Sequence, residues 1–249
     1  MVNILINGIG GTMGKKVYDA LAGREDAKAV CGVDKHYDGC GIYVPIYQDI
    51  RDVAEKVDCI IDFSVKAALY EYLPYAVEKG IPCVIATTGY GKEELDAIQE
   101  ASKKIPIFRT GNLSLGVNVL TKLVKQAAAL LGDKADIEII ESHHNKKVDA
   151  PSGTALMLLD SVKTARTELT PVYGRQGQVG KRAKNEIGIH SVRGGSIVGK
   201  HEVMFILDSE VITLTHEAES KTIFANGSIN AAIFLQDKPA GLYSMADII

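Results

Sequence analysis

The chain has no excess of basic charge. Lys and Arg total 28 against 31 Asp and Glu, a formal net charge of -3, so no field draws it to nucleic acid. Its one mild basic cluster, Lys181-Arg182-Ala183-Lys184, reads as a solvated loop. Cysteine is scarce, and Cys31, Cys40, Cys59 and Cys83 show no Cys-x-x-Cys spacing. That removes the usual zinc and disulfide frameworks. Cys59 and Cys83 lie within apolar runs and read as small buried hydrophobes. Long apolar runs are also missing: none approaches the ~20 residues that span a bilayer. No basic segment with a cleavage site precedes the first strand. No membrane partner is expected, and the reducing cytoplasm is the expected compartment. Internal repeats, low-complexity tracts and a helix-turn-helix are absent. So are His-Glu-x-x-His helices and Gly-x-Ser-x-Gly elbows, so neither a catalytic metal nor a serine nucleophile is expected.

What remains is an ordinary globular composition, 46% hydrophobic and 24% charged, over 249 residues. That length suits one large domain or two small ones. In the first half, apolar strands alternate with amphipathic helices. Strands are expected at 2–6, 27–33, 58–63, 82–86 and 105–108. Helices are expected to end near Leu21 and to cover about 66–79 and 93–103. Buried, β-branched strands alternating with helices predict a Rossmann-like, doubly wound parallel sheet. After Asn112 the pattern changes. Helices are expected at about 118–131 and 152–166, with strands at 136–141, 187–193, 196–206 and 210–217. These form an α+β region with an open antiparallel or mixed sheet. Residues 172–184 read as a mobile loop, and 228–235 return to helix.

Gly8-Ile9-Gly10-Gly11-Thr12-Met13-Gly14 follows the first strand and opens a helix. Glycines there permit a tight turn and close backbone approach to a pyrophosphate. The spacing departs from Gly-x-Gly-x-x-Gly, but Asp34 closes the second strand where an acid meets adenosine ribose hydroxyls. An acid favours NADH. The adjacent Lys35 attracts the 2'-phosphate of NADPH, so either cofactor is expected to be usable, and His36 is expected nearby. Ala86-Thr87-Thr88 and Thr110-Gly111-Asn112-Leu113 each follow a strand, at the edge where open α/β sheets bind ligands.

The densest chemistry lies in Glu141-Ser142-His143-His144-Asn145-Lys146-Lys147-Val148-Asp149-Ala150-Pro151-Ser152-Gly153-Thr154. Hydride addition to a carbon–nitrogen or conjugated double bond requires a proton to follow, and histidine donates one near neutral pH. Lysine supplies fixed charge for a developing anion. On an extended segment His143 and His144 face opposite sides and take different roles. Ser152 is a good N-cap. Gly153 and Thr154 then present first-turn N–H groups to an anion such as a small dicarboxylate. His190, His201 and His216 fall in expected strands and read as structural.

This stretch resembles the signature of the dihydrodipicolinate reductase family. The likeness runs through the glycine turn, Asp62-Phe63-Ser64, Thr87-Thr88-Gly89, Asn112 to Asn118, Arg193-Gly194, Gly199-Lys200-His201 and Phe224 to Gly227. It implies reduction of 4-hydroxy-tetrahydrodipicolinate, or the dihydrodipicolinate derived from it, to tetrahydrodipicolinate by NADH or NADPH. The pathway implied is lysine and diaminopimelate biosynthesis. It also implies a dinucleotide-binding domain over 1–112, completed by about 222–249, and a substrate-binding domain over 113–221 that assembles a homotetramer. By motif position His143 is the proton donor and Lys147 its partner, while His144, Gly153 and Thr154 bind substrate. Gly8 to Met13, Asp34, Ala86 to Thr88 and Thr110 to Leu113 bind cofactor. Several positions depart from the family pattern. Thr12 stands where arginine is common, Ala86 where glycine is usual, and Thr110-Gly111 replaces a small-residue or proline pair. The first weakens the case for NADPH.

Overall fold

The computed structural model describes residues 1–249 except Asp38 and Cys40. Cys40 therefore lies outside the described residues. Two compact units emerge, Met1–Leu113 with Lys221–Ile249, and Ser114–Ser220.

In the first unit the parallel strands are β1 (Val2–Asn7), β2 (Ala27–Val33), β3 (Ile46–Tyr47), β4 (Cys59–Asp62), β5 (Cys83–Ile85), β6 (Pro106–Arg109) and β12 (Gly241–Tyr243). Their spatial order is β12-β6-β5-β4-β1-β2-β3. Helices α1 (Thr12–Leu21), α2 (Leu69–Lys79), α3 (Lys92–Ser102) and α6 (Thr222–Phe234) cover both faces. Side chains alternate across a strand, so the run Ile4-Leu5-Ile6 feeds two cores. Ile4 and Ile6 join Val17 of α1 and Ile229 of α6. Leu5 joins Tyr72 of α2 and Ile98 of α3. Each such buried aliphatic side chain stabilises the fold by about 1.5–3 kcal/mol. The strand order reverses at the β1/β4 pair, and that switch point is where doubly wound sheets bind ligands.

Strands β3 and β12 were not expected. At two and three residues they are too short for alternation to register. Helix α6 starts at Thr222 rather than Ser228. Asn226-Gly227 reads as a breaker, yet packing overrides propensity: a Cβ on Gly227 would overlap the Leu113 carbonyl, so glycine is what lets α6 lie this close.

The second unit is built from α4 (Leu115–Leu131), β7 (Asp136–His143), α5 (Gly153–Ala165), β8 (Thr170–Tyr173), β9 (Glu186–Arg193), β10 (Gly199–Ile206) and β11 (Val211–Ala218). The sheet order is β11-β10-β7-β9-β8. β10 runs antiparallel to β7 and β11, while β7, β9 and β8 are parallel. The expected mixed sheet is therefore present. Its inner face buries Ile137, Ile139, Val203 and Phe205 against Leu120 and Val124 of α4 and Leu158 and Val162 of α5. The opposite positions, such as Glu138, Ile140, Met204 and Ile206, are only partly buried.

The segment expected to be a mobile loop at 172–184 begins as part of β8. Two of its arginines then tie back to Glu138 of β7. Arg175 donates through Nη1 and Nη2 at 2.9 Å each, and Arg182 through Nε at 3.2 Å. His190 Nε2 lies 2.8 Å from the same carboxylate. Burial opposes ionisation of Glu138, but Arg175, His190 and Arg182 outweigh it and bring its carboxyl down to about 2. Replacing Glu138 by Gln removes the charge that both arginines share. The expected result is a loss of about 1–3 kcal/mol in urea unfolding and faster tryptic cleavage within 175–184. Unchanged cleavage would mean that Glu138 does not hold this segment.

Candidate active site

Glu141 organises the His143 region. It points into the protein from β7, and its residue is fully buried. Arg193 of β9 donates to both carboxylate oxygens, at 2.8 and 2.7 Å. Such bidentate pairing is among the stronger hydrogen-bond arrangements. The Ser152 backbone N–H donates to Oε1 at 3.1 Å. His143 Nδ1 lies 2.5 Å from Oε2. Burial opposes ionisation of Glu141, yet Arg193, Ser191 and His143 bring its carboxyl down to about 2. The carboxylate is therefore the acceptor, His143 Nδ1 carries the proton, and Nε2 is left for exchange.

The sheet register explains the convergence. Glu141 and His143 are two apart on one strand and share a face. Arg193 pairs in register with His143 across β7/β9, and His201 pairs with Glu141 across β7/β10. The His143 and His201 rings meet edge to face, 5.1 Å between centroids. A Cβ on Gly199 would sit 3.1 Å from His143 Nε2, so glycine keeps that nitrogen uncrowded. Burial lowers the His143 pKa, Glu141 partly restores it, and the charges of Lys147 and Arg193 lower it again. His201 is pushed down to about 4, chiefly by burial and then by His143.

Ser152 caps α5, its hydroxyl accepting from the Ala155 N–H at 3.2 Å. The same hydroxyl lies 3.1 Å from His201 Nε2. Gly153 and Thr154 form the first turn, exposed and partly exposed respectively. Lys147 donates to Asp149 Oδ1 at 2.8 Å, and Arg193 holds the Asp149 carbonyl at 2.7 Å. His144 follows β7 with its Nδ1 buried and no protein partner among the described residues. The expected alternation holds: His143 is buried and His144 only partly so.

The first unit presents two adjoining hollows at the carboxyl edge of its sheet. One, of about 300 Å³, is lined by Gly8, Gly11, Asp34, Lys35, His36 and Glu71, among others. The second, of about 440 Å³, is lined by Met13, Lys66, Ala86, Thr87 and Thr88, and the two share Phe63, Ser64 and Val65. The glycine turn fits a dinucleotide. Gly8 takes φ +79°, and a Cβ on Gly14 would overlap the Gly8 carbonyl, so α1 starts hard against the turn. Among the described residues no side chain caps α1, and no acid lies in its first turn, which suits a pyrophosphate. Asp34 accepts from the Gly10 N–H and the His36 N–H, each at 2.9 Å.

Other expected cofactor residues are placed differently. Ile9 and Leu113 are core side chains that offer only backbone. Thr12 is exposed at the start of α1 and brings no charge. Thr110, Gly111 and Asn112 follow β6 at the same sheet edge but line neither hollow. Sequence reasoning missed Glu141, Arg193, His201 and Glu71 as site residues. Arg193 and His201 belonged to the quoted family segments, but their roles depend on strand register. Among the described residues no cluster of His, Cys, Asp or Glu is arranged to hold a metal.

His201 gives this site a measurable acid response. Its folded pKa is depressed to about 4 from 6.5, so the unfolded chain takes up the proton first. Stability is full above pH 6.5 and falls as pH drops toward 4, by on the order of 3 kcal/mol from this residue. His143 adds in the same direction, whereas Glu141 responds only below 4.5. Urea unfolding across pH 7 to 4 should show this loss, and His201→Asn should flatten it. An unflattened slope would assign the loss elsewhere.

Comparison with known proteins matches this chain along its length. Residues 2–113 match the family model described as dihydrodipicolinate reductase, N-terminus. Residues 116–249 match that described as dihydrodipicolinate reductase, C-terminus. A 4-hydroxy-tetrahydrodipicolinate reductase from Caldanaerobacter subterraneus subsp. tengcongensis is 47% identical over 250 residues, covering 100% of this chain and 98% of the relative. One from Clostridium tetani is 45% identical over 246 residues, covering 98% and 96%. The fold is shared with the solved structure of a dipicolinate-bound dihydrodipicolinate reductase from Paenisporosarcina sp. TG-14, with TM-score 0.79, 24% identity and full coverage of both chains. The chain, with its Rossmann-like sheet and its separate mixed sheet, belongs to the dihydrodipicolinate reductase family.

Proposed function

We propose that this protein is an NAD(P)H-dependent oxidoreductase. It reduces 4-hydroxy-tetrahydrodipicolinate, or the dihydrodipicolinate derived from it, to tetrahydrodipicolinate on the route to diaminopimelate and lysine. The observation that carries the reading is the buried Glu141, which fixes His143 with Nε2 available, in a chain of this family. The first unit is the dinucleotide-binding domain, and the second binds substrate and assembles the homotetramer.

A bound nicotinamide supplies the hydride. The chain's own residues do the rest. First-turn N–H groups of Gly153 and Thr154 receive a substrate carboxylate at the positive end of α5. Lys147, paired with Asp149 in this structure, turns its ammonium to the developing anion. His144 completes the substrate contacts. His143 Nε2 delivers the proton to the reduced double bond. Burial keeps His143 largely neutral at rest, and the approach of two substrate carboxylates favours its protonated form. Glu141 stays ionised throughout because Arg193 occupies both its oxygens, so it can stabilise the imidazolium.

Gly8 to Met13, Asp34, Ala86 to Thr88 and Thr110 to Leu113 hold the cofactor, with Lys35 beside the adenosine ribose. We take NADH as the equal or better partner, since Asp34 accepts ribose hydroxyls and repels a 2'-phosphate. The open face of the second sheet mixes Ile140, Met204 and Ile206 with charged neighbours, and β11 exposes Val211 and Ile212 at its edge. Uncovered edges of this kind invite pairing, which supports assembly as a homotetramer. Sedimentation should find that species at assay concentrations, and an active monomer would contradict it. No helix among the described residues is long and apolar enough to cross a membrane. Buried thiols at Cys31, Cys59 and Cys83 suit the cytoplasm.

A coupled assay with synthesised substrate, following NADH and NADPH loss separately, tests the activity. His143→Gln should lower kcat by roughly 10²–10⁴ with little change in nicotinamide affinity. Lys147→Ala should be similarly damaging. Near-normal kcat in His143→Gln would move the proton donor elsewhere. Pyridine-2,6-dicarboxylate should compete with substrate, and Thr154→Val should weaken that competition.

A further inference from the structure

Lys35 is the one fixed cation among the described residues that line the 300 Å³ hollow beside Asp34. Its ammonium is already engaged. Nζ donates to Glu71 Oε1 of α2 at 2.7 Å, with the two side chains 57% and 51% exposed. Glu71 lines the same hollow. The carboxylate of Asp34 is fixed by two backbone N–H groups, so it cannot swing away from an incoming anion. Thus two carboxylates, Asp34 and Glu71, and one ammonium, paired with Glu71, line the space proposed for the adenosine end.

From this arrangement we infer that Glu71 is a specificity-determining residue that disfavours NADPH by withholding Lys35 from the 2'-phosphate. The inference rests on the cofactor reading proposed above and deepens it. A 2'-phosphate needs the ammonium as a charge-assisted donor, and Glu71 competes for it at hydrogen-bond distance. A ribose hydroxyl makes no such demand, so NADH is unaffected by the competition. The pair is half exposed, so its hold on Lys35 is modest and sensitive to salt.

The test is direct binding by nicotinamide fluorescence, with NADH and NADPH titrated separately into wild type, Glu71→Gln, Lys35→Ala and the double variant. Glu71→Gln is expected to tighten NADPH by roughly 3–10-fold at low salt and to change NADH by less than about twofold. The NADPH gain should shrink as salt is raised. In the Lys35→Ala background, Glu71→Gln should give no gain, because the ammonium it frees is gone. If Glu71→Gln leaves the ratio of NADPH to NADH affinity unchanged while NADH still binds, this inference fails and the reductase reading stands. An equal gain in the Lys35→Ala background would also overturn it, since Glu71 would then act by direct repulsion. If wild type binds neither nucleotide, the cofactor reading falls first and this inference with it.

Discussion

The second unit depends on a carboxylate placed where water cannot reach it. An isolated charge in that position costs several kcal/mol, so Glu141 is tolerable only with its partners assembled. Those partners come from three places. Arg193 arrives from β9, the Ser152 N–H from the start of α5, and His143 from its own strand. Satisfying one side chain therefore fixes the β7/β9 register, the entry of α5 and the orientation of the His143 ring. A slip of one residue in β9 would turn Arg193 to the other face and leave the carboxylate unpaired. The start of α5 and the His143 ring are held in one frame because they share this acceptor.

The first unit solves a similar problem with neutral donors. Asp62 is fully buried at the end of β4, beside the switch point. It accepts from Asn7 Nδ2 at 2.8 Å, Thr87 Oγ1 at 2.7 Å and Tyr72 Oη at 3.2 Å, and from the Ser64 hydroxyl. No cation among the described residues bonds to it. Burial therefore dominates and raises its pKa, with Ser64, Thr87 and Asn7 only partly offsetting the effect. Glu141, with an arginine on both oxygens, moves the other way. The contrast shows what each network is suited to. Asp62 positions Ser64 and Thr87 at the edge of the second hollow, whereas Glu141 carries a permanent charge that a histidine can feel.

How much of this the sequence discloses follows from the range of each interaction. The glycine turn, the strand–helix alternation and the His143 to Thr154 stretch are contiguous, and their local spacing states their geometry. Asp34 is legible because a strand end and a turn set its place. Glu141 sits two residues from His143, but its role depends on Arg193, 52 positions away. His201 reads as an ordinary strand histidine until the antiparallel pairing with β7 sets it opposite Glu141. Glu71 is likewise one of two acids on an amphipathic helix until α2 brings it to Lys35. The short strands β3 and β12 are hidden for a different reason: neither is long enough to alternate.

The resting state of His143 then follows from how charge is distributed among its neighbours. Arg193 would depress the ring's proton affinity strongly if it faced His143 alone. Its guanidinium is instead committed to Glu141, whose remaining lone pairs favour the protonated ring. Lys147 is committed to Asp149 in the same way. Each cation that could repel a proton at His143 thus carries its own carboxylate, and desolvation remains the largest influence on the ring. Desolvation is an influence that a bound dianion can counter, because it penalises charge only while that charge lacks a partner. The protein therefore does not need to hold an imidazolium ready in a desolvated site. Under the proposed assignment it needs only to keep Nδ1 anchored and Nε2 uncrowded, so that two substrate carboxylates would favour the protonation that the reduction consumes.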